Sequence, residues 1–268
     1  MNYLDTSQIQ FISFPDGQRH LRIPPALLTA HPHSYDLLWR IRNPAELLEL
    51  ELIVDAMSEW SFPRTLVIPY LMSGRSDRRM MDGDPCGLRV VANRINSLGF
   101  RRVILVDPHS FNSVLLIHNS RKTTMRPLYE SINVDKPFLI VPDKGAADRA
   151  EAAGYILQTT DKIQCDKVRD PDSGRVQLTI TPADLDKIAD RNCVIVDDIC
   201  DGGNTFLQIA EQVGMICASL HLVVTHGIFS AGTDKLARNF TSITTADTYR
   251  TSKLPGINLF NFPYESIA

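Results

Sequence analysis

The chain has 268 residues, of which 44% are hydrophobic and 22% are charged, a composition typical of a globular protein with one large or two modest domains. The formal net charge is −3 and no basic block stands out, which argues against nucleic acid as a main partner. No apolar run approaches the length of a membrane span, so we expect no membrane partner.

Cysteine usage and the first residues both predict a cytoplasmic protein. The 5 cysteines form no C-x-x-C pair, and their odd number argues against a disulfide framework. The first ten residues include Asp5 and lack the apolar stretch of a secretory signal.

Short apolar runs alternate with amphipathic segments along the chain. The runs are rich in β-branched residues and lack polar alternation, as expected for strands covered on both faces. This alternation predicts an α/β fold with doubly wound, mainly parallel sheets. In chain order, the predicted elements are a helix over 45–60, a strand over 66–69, a helix over 87–98, strands over 103–107, 138–141 and 193–197, a helix over 205–213 and a strand over 220–224.

The strand and helix pattern occurs twice, which predicts two tandem α/β domains. The segment 119–136 between the two blocks is polar and contains Pro127, so we interpret it as a linker. The predicted domains are residues 1–127 and 128–268.

The strongest signal for function lies at 194–205, where the sequence is VIVDDICDGGNT. A buried strand leads directly into Asp197 and Asp198, and a Gly-rich turn and a helix follow. Ligands of doubly wound folds bind at the carboxyl ends of strands, and backbone N–H groups at a helix start favour phosphate. Two carboxylates can accept hydrogen bonds from vicinal hydroxyls. The segment therefore predicts a sugar-phosphate site, against the plainer alternative of an acidic helix cap.

This segment resembles the loop that binds phosphoribosyl pyrophosphate (PRPP) in type I phosphoribosyltransferases and in PRPP synthetases. Further segments resemble the synthetases, in the family's order and over most of the chain. They are FPDGQ at 14–18, PY at 69–70 with RSDR at 75–78, VDPH at 106–109, VPDKG at 141–145, KVR at 167–169 and THGIFS at 225–230.

The resemblance implies a two-domain phosphoribosyltransferase-like fold and a homo-oligomer. It also implies a Mg²⁺-dependent transfer of the β,γ-pyrophosphate of ATP to the anomeric hydroxyl of ribose 5-phosphate, giving PRPP and AMP. No covalent nucleophile is needed, because positioning and charge stabilisation suffice for phosphoryl transfer.

Individual residues take their expected roles from the same resemblance. His109 and Asp143 would hold Mg²⁺, and Lys167, Arg169 and His109 would be catalytic, with 162–175 as a mobile lid. The implied ATP-binding residues are Phe14, Asp16, Gln18, Arg75, Ser76, Asp77, Arg78 and His109. The implied ribose-phosphate-binding residues are Asp197, Asp198, Asp201, Gly202, Gly203, Asn204 and Thr205.

Four positions depart from the family's pattern. Ser76 and Gln18 replace a Gln and a Glu on the ATP side, and Lys144 replaces a small residue. The phosphate loop reads DGGNT at 201–205, where the family has D-T-G-G-T. Losing a threonine hydroxyl and gaining space at Gly202 favours a larger 5-substituent. ADP-ribose, the acceptor of some compact viral members, is therefore an alternative to ribose 5-phosphate.

Two other functions remain open at the level of sequence. A phosphoribosyltransferase would share the 197–205 loop but would not need the segments around Phe14, Arg75 and His109. A non-catalytic regulatory homologue would have lost active-site groups. Taken singly, His109 can be an ordinary capping residue, and Asp16 with Gly17 can form a simple hairpin turn.

Overall fold

A computed structural model describes residues 3–169 and 176–267. The chain divides into two compact units, Met1–Thr124 together with Pro263–Ala268, and Met125–Phe262. The sequence predicts that all of 128–268 belongs to the second domain, whereas the structure places Pro263–Ala268 in the first unit. One hydrogen bond that attaches them to the first unit runs from the Tyr3 hydroxyl to the Tyr264 carbonyl oxygen, at 3.1 Å.

The first unit is built on a four-stranded parallel sheet with the strand order β3-β4-β5-β6. A separate antiparallel hairpin, β1-β2, precedes it. The elements are β1 Gln10–Ser13, β2 Arg19–Arg22, α1 Pro25–Ala30, β3 Ser34–Leu38, α2 Pro44–Met57, β4 Phe62–Ile68, α3 Gly87–Ser97, β5 Arg102–Leu105, α4 Asn112–Leu116 and β6 Ser120–Lys122.

Local sequence signals explain where the helices of this unit begin. The Asn43 side chain accepts a hydrogen bond from the Glu46 N–H, and Pro44 occupies the first helical position of α2. Helix α2 then buries Leu50 and Ile53 in the same core as Leu66 of β4. Burial of such apolar side chains is the main source of stability for this layer.

The second unit contains a six-stranded parallel sheet with the order β14-β13-β12-β11-β7-β8, and an antiparallel pair, β9-β10. From β7 the chain moves outward to β8, then returns to β11 on the other side of β7 and moves away through β12 to β14. The strand order therefore reverses between β7 and β11, where ligands of open α/β sheets bind. The elements are α5 Arg126–Glu130, β7 Phe138–Val141, α6 Ala147–Leu157, β8 Lys162–Gln164, β9 Asp166–Arg169, β10 Val176–Thr179, α7 Pro182–Ile188, β11 Asn192–Cys200, α8 Asn204–Val213, β12 Ser219–Gly227, α9 Asp234–Asn239, β13 Ser242–Ala246 and β14 Asn258–Phe260.

The predicted α/β class with mainly parallel sheets is confirmed, but the linker prediction needs correction. The proposed linker, 119–136, contains β6, which pairs with β5, and helix α5. The proposed lid contains β8 and β9, while residues 170–175 lie outside the described part. Within that part, no helix is long and apolar enough to cross a membrane.

Candidate active site

Two neighbouring carboxylates lie at the carboxyl end of β11, beside the point where the strand order reverses. Asp198 is buried, with 4% of its surface exposed, and its backbone N–H donates to Asp197 Oδ1 at 2.8 Å. Burial, and then the charge and hydrogen bond of Asp198, raise the pKa of the Asp197 carboxyl well above its usual range. The two adjacent carboxyls present several oxygens that can accept hydrogen bonds from hydroxyl donors.

An arginine that the sequence analysis did not single out pairs with this acidic site. Arg149, in the first turn of α6, places Nη2 3.3 Å from Asp198 Oδ2. Its Nη1 donates to the Gly145 carbonyl oxygen, also at 3.3 Å. The Arg149 side chain is 16% exposed, so this cation is largely buried. In the sequence it lies between Asp148 and Glu151, where it resembles an ordinary surface residue of a helix.

The loop after β11, at 201–205, leads into the start of helix α8. Gly203 adopts a left-handed backbone, with φ of 81°, and helix α8 begins after it without a side-chain cap. Its first N–H groups and the helix dipole therefore favour an anion. A Cβ at Gly203 would also approach Leu236 Cδ1 to 3.0 Å, whereas nothing lies within 4 Å of one at Gly202.

A second loop, at 227–230, is hydrogen-bonded to the loop at 201–205. The Ser230 hydroxyl donates to Asp201 Oδ1 at 2.6 Å, and the Ser230 N–H donates to the Asp201 carbonyl oxygen at 3.1 Å. Gly227 is required here, because a Cβ would lie 2.2 Å from Phe229 Cε2 and 2.7 Å from Thr245 Oγ1. The THGIFS motif seen in the sequence thus supports the loop at 201–205.

Asp143 follows β7, the strand that neighbours β11. Its Oδ1 accepts a hydrogen bond from the Gly145 N–H at 2.8 Å and caps the short 3-10 helix Lys144–Ala146. Lys144 is exposed. Asp143 therefore comes just after β7, and the acidic pair lies near the carboxyl end of the adjacent strand β11.

In the first unit, most of the predicted ATP-binding residues meet at one cavity. It has a volume of about 750 Å³. Arg75, Arg78 and His109 are exposed, so their polar groups can reach a ligand. The lining residues are Arg75, Ser76, Asp77, Arg78, Met80, Asp84, Pro85, His109, Ser110 and Phe111. Two arginines in such a cavity suit phosphoryl oxygens.

Ser76 and Asp77 also hold the walls of this cavity together. The Ser76 hydroxyl accepts a hydrogen bond from the Gly87 N–H at 3.2 Å, at the start of α3. Asp77 Oδ2 accepts from Ser110 Oγ at 2.5 Å and from Asn112 Nδ2 at 3.1 Å. These bonds join the loop before α3 to the loop after β5. The sequence offered no signal for Ser110 or Asn112, because their contacts depend on tertiary structure.

The remaining predicted residues of the ATP side lie elsewhere in the first unit. Phe14, Asp16 and Gln18 are exposed at the turn of the β1-β2 hairpin. The Phe14 N–H donates to the Gln18 carbonyl oxygen at 2.9 Å, and Gly17 has φ of 88°. The turn interpretation is therefore confirmed for the backbone, and the Phe14 ring is left 46% exposed.

Lys167 and Arg169 belong to β9, where their backbones pair with Leu178 and Val176 of β10. Their side chains lie outside the described part of the structure. Two glutamines of α8 bind the backbone of β10 and the residue after it. Gln208 Oε1 accepts a hydrogen bond from the Leu178 N–H at 3.0 Å. Gln212 Oε1 accepts one from the Ile180 N–H, also at 3.0 Å. The backbone that carries the two predicted catalytic cations is thus attached to the helix that begins in the phosphate loop.

Across the residues that the structure describes, no cluster of three or more His, Cys, Asp or Glu side chains could hold a metal ion alone. His109 belongs to the first unit and Asp143 to the second. Among the described residues, neither of these two predicted metal ligands belongs to a cluster of three such side chains.

Comparison with known proteins identifies the family. Residues 117–257, just over half of the chain, match the phosphoribosyl transferase domain. The ribose-phosphate pyrophosphokinase of Sulfolobus acidocaldarius is 29% identical over 229 residues, covering 83% of this chain and 77% of that protein. The enzyme of the same name from Haemophilus influenzae is 32% identical over 206 residues, covering 70% of this chain and 62% of that protein.

A solved structure supports the same assignment at the level of the fold. The phosphoribosylpyrophosphate synthetase of Mycobacterium smegmatis superposes with a TM-score of 0.77 at 18% identity, covering 94% of this chain and 85% of that one. Matched domain, similar relatives and shared fold agree with the ordered motifs and with the acidic pair at the end of β11. On these grounds the chain belongs to the ribose-phosphate pyrophosphokinase, or PRPP synthetase, family.

Proposed function

We propose that the chain is a Mg²⁺-dependent diphosphokinase that moves the β,γ-pyrophosphate of ATP to the anomeric hydroxyl of ribose 5-phosphate. The observation that carries this proposal is the β11 site, where two carboxylates precede an uncapped helix start. A ribose phosphate presents vicinal hydroxyls and a phosphate, which match these two features together. The names of the similar proteins support the same chemistry.

On the sugar side, Asp197 and Asp198 would accept hydrogen bonds from the ring hydroxyls. The phosphate would bind the N–H groups at the start of α8, with Asp201, Gly202, Gly203, Asn204 and Thr205 around it. These contacts fix the sugar at both ends, so its anomeric oxygen is presented in one orientation. That oxygen forms a bond to the β-phosphorus and its proton passes to solvent, while the bond from the β-phosphorus to the α,β-bridging oxygen breaks and AMP leaves.

On the nucleotide side, we propose that the cavity of the first unit receives ATP phosphates. Arg75 and Arg78 would pair with phosphoryl oxygens, and Asp77 and Ser76 would hold the cavity walls, as their hydrogen bonds indicate. Phe14, Asp16 and Gln18 are proposed to contact the nucleotide from the exposed hairpin. Lys167 and Arg169 are proposed to stabilise the charge of the transferring group.

The available donors fit Mg²⁺ rather than a metal that needs a full protein cage. Magnesium prefers oxygen ligands, keeps several waters and is commonly bound by one or two carboxylates plus substrate phosphates. We propose each of Asp143 and His109, taken within its own unit, as a Mg²⁺ ligand. When bound with ATP, Mg²⁺ supplies neutralisation of phosphate charge.

A product assay tests this proposal. Purified protein, ATP and Mg²⁺ are incubated with ribose 5-phosphate, and AMP and PRPP are followed by mass spectrometry. We expect both products in equal amounts, and loss of both with Asp198→Asn. PRPP consumption with a nucleobase would instead identify a phosphoribosyltransferase. Failure to make AMP, with an altered rate of an added active synthetase, would identify the regulatory homologue.

A second acceptor, ADP-ribose, is favoured by the space around the phosphate loop. A side chain at Gly202 would meet nothing within 4 Å. A second cavity, of about 770 Å³, includes Asn204 and Thr205 in its lining and continues along α8 to Glu211. That distance is about 10 Å along a helix. Lys235 and Asn239 of α9 also line this cavity, so a second phosphate would meet a cation there.

The acceptor is tested in parallel reactions with ribose 5-phosphate and ADP-ribose. If ADP-ribose is the acceptor, only that reaction yields AMP, and Gly202→Thr lowers its turnover by filling the open space. Turnover of ribose 5-phosphate alone would reject ADP-ribose. The homo-oligomer expected from the resemblance is tested separately, by light scattering of the purified protein.

A further inference from the structure

Arg149 is a largely buried cation that has no role in the proposed chemistry described above. Helix α6 begins after Asp143, and Arg149 lies within the first turn of that helix. From there its side chain extends toward β11, the neighbour of β7 in the parallel sheet. Because strand order reverses between β7 and β11, the guanidinium lies where a ligand of this fold is expected.

Two contacts restrict the Arg149 side chain. One guanidinium nitrogen lies 3.3 Å from Asp198 Oδ2, and the other donates to the Gly145 carbonyl oxygen at 3.3 Å. Side-chain exposure is 16% for Arg149 and 6% for Asp198, so water competes little for the ion pair. A buried carboxylate that loses its partner is left with an uncompensated charge. Arg149 therefore contributes to both the charged form and the orientation of Asp198.

The acidic pair works as a unit, since Asp197 Oδ1 accepts from the Asp198 backbone N–H. The Arg149 charge also acts on Asp197, opposing the rise in its pKa that burial and Asp198 cause. Two ionised carboxylates offer more acceptor positions to a pair of donor hydroxyls than two that share a proton. An arginine that favours the charged form of the pair should thus strengthen binding of a vicinal diol.

We propose that Arg149 is a positioning residue for the sugar acceptor, acting through its ion pair with Asp198. It binds neither substrate and holds the carboxylate that accepts the ring hydroxyl. This inference rests on the proposed function, because it assumes that the acidic pair receives the ribose hydroxyls. Arg149 should therefore control the affinity for the acceptor and leave the affinity for ATP unchanged.

The test compares Arg149→Met, Arg149→Lys and a control, Arg191→Met. Arg191 forms an ion pair with Asp161 at 2.7 Å and adjoins the start of β11, at the opposite end of the strand from the acidic pair. Steady-state KM values are measured for the acceptor and for ATP, and acceptor binding without ATP is measured by calorimetry. Circular dichroism melting checks that each variant is folded.

We expect Arg149→Met to raise the acceptor KM and Kd by about tenfold or more, the scale of losing one charge-assisted hydrogen bond. The KM for ATP should stay within about twofold, and Arg191→Met should match the wild type on this scale. Lysine keeps the charge but lacks the planar fork, so Arg149→Lys should be intermediate. If Arg149→Met fails to fold, the acceptor KM and Kd of Arg149→Lys test the proposal.

Other outcomes would overturn the inference. Equal losses of affinity for the acceptor and for ATP would indicate a general structural role. An unchanged acceptor KM in both Arg149 variants would show that Arg149 does not position the acceptor. If the wild type binds the acceptor but transfers no pyrophosphate, the proposed reaction is wrong. The acceptor Kd from calorimetry then still tests the role of Arg149. If the wild type binds neither ribose 5-phosphate nor ADP-ribose, both proposals are wrong.

Discussion

At the scale of single residues, the raised pKa of Asp197 links the stability of the fold to pH. Burial and the adjacent Asp198 raise its pKa above the value of about 3.9 expected in an unfolded chain. The folded protein then holds the proton more tightly than the unfolded chain. The free energy of unfolding should therefore fall as the pH rises from about 4 through the raised pKa.

Asp197→Asn should remove this pH dependence, because an amide of similar shape carries no charge. Without ligands, we expect the variant to melt above the wild type at about pH 8, with a difference that shrinks toward about pH 4. Differential scanning calorimetry across this range measures the effect. The control is Asp186→Asn, an exposed carboxylate of α7. A difference that is the same at every pH would contradict the electrostatic explanation.

For two glycines of the site, we expect the same substitution to change stability by very different amounts. Gly227→Ala would press a methyl group against Phe229 and Thr245, both buried, so we expect a loss of about 1–3 kcal/mol in the free energy of unfolding. Gly202→Ala meets only open space and should change this free energy by less than about 0.5 kcal/mol. Urea denaturation measures both, and equal losses would mean that the packing at Gly227 is softer than the distances indicate.

At the scale of elements, the β9-β10 hairpin depends on α8 for its position. Gln212 accepts from the Ile180 N–H and donates to the Leu178 carbonyl oxygen at 2.9 Å. Gln212→Met should break both bonds while keeping a similar volume. We expect faster hydrogen exchange in β10 and, because β9 carries Lys167 and Arg169, a lower kcat.

Hydrogen exchange with mass spectrometry, followed over peptides that contain β10, measures the first effect independently of activity. Glu211→Met is the control, since Glu211 is exposed on the same helix. Unchanged exchange in β10 would show that pairing with β9 alone holds the hairpin.

The same scale shows how far the sequence could predict this structure. Phe138–Val141 matches β7 residue for residue, and the strands predicted at 193–197 and 220–224 lie inside β11 and β12. Continuous apolar runs mark such buried strands clearly. Strand β6 (Ser120–Lys122) was missed because it is short and polar, and only its pairing with β5 identifies it.

Site residues divide along a similar line. The loop at 197–205 could be predicted because its chemistry is contiguous in sequence, from the acidic pair to the helix start. Arg149, Ser110 and Asn112 could not, because each acts on a residue far along the chain. Sequence spacing carries no information about such contacts until the fold is known.

At the scale of the whole molecule, each unit has its own hydrophobic core. One cluster contains Leu50 and Leu66, and the other contains Ile195 and Leu222. A segment with its own core and a complete sheet can fold alone. The second unit is continuous in sequence, Met125–Phe262, so it can be produced as a single fragment.

We expect the fragment 125–262 to unfold cooperatively on heating and to bind ribose 5-phosphate in calorimetry without ATP. The fragment with Asp198→Asn should keep the melting transition and lose binding. A fragment that lacks a cooperative transition would show that the second core is insufficient without the remainder of the chain.

The reversal of strand order between β7 and β11 has a consequence for how the site can change over time. The crevice there follows from connectivity, since the chain leaves the two strands in opposite directions. Substituting one side chain can abolish chemistry without closing the crevice. A duplicated copy of this chain could thus lose Asp197 and keep the depression, which would remain available for selection toward a different ligand.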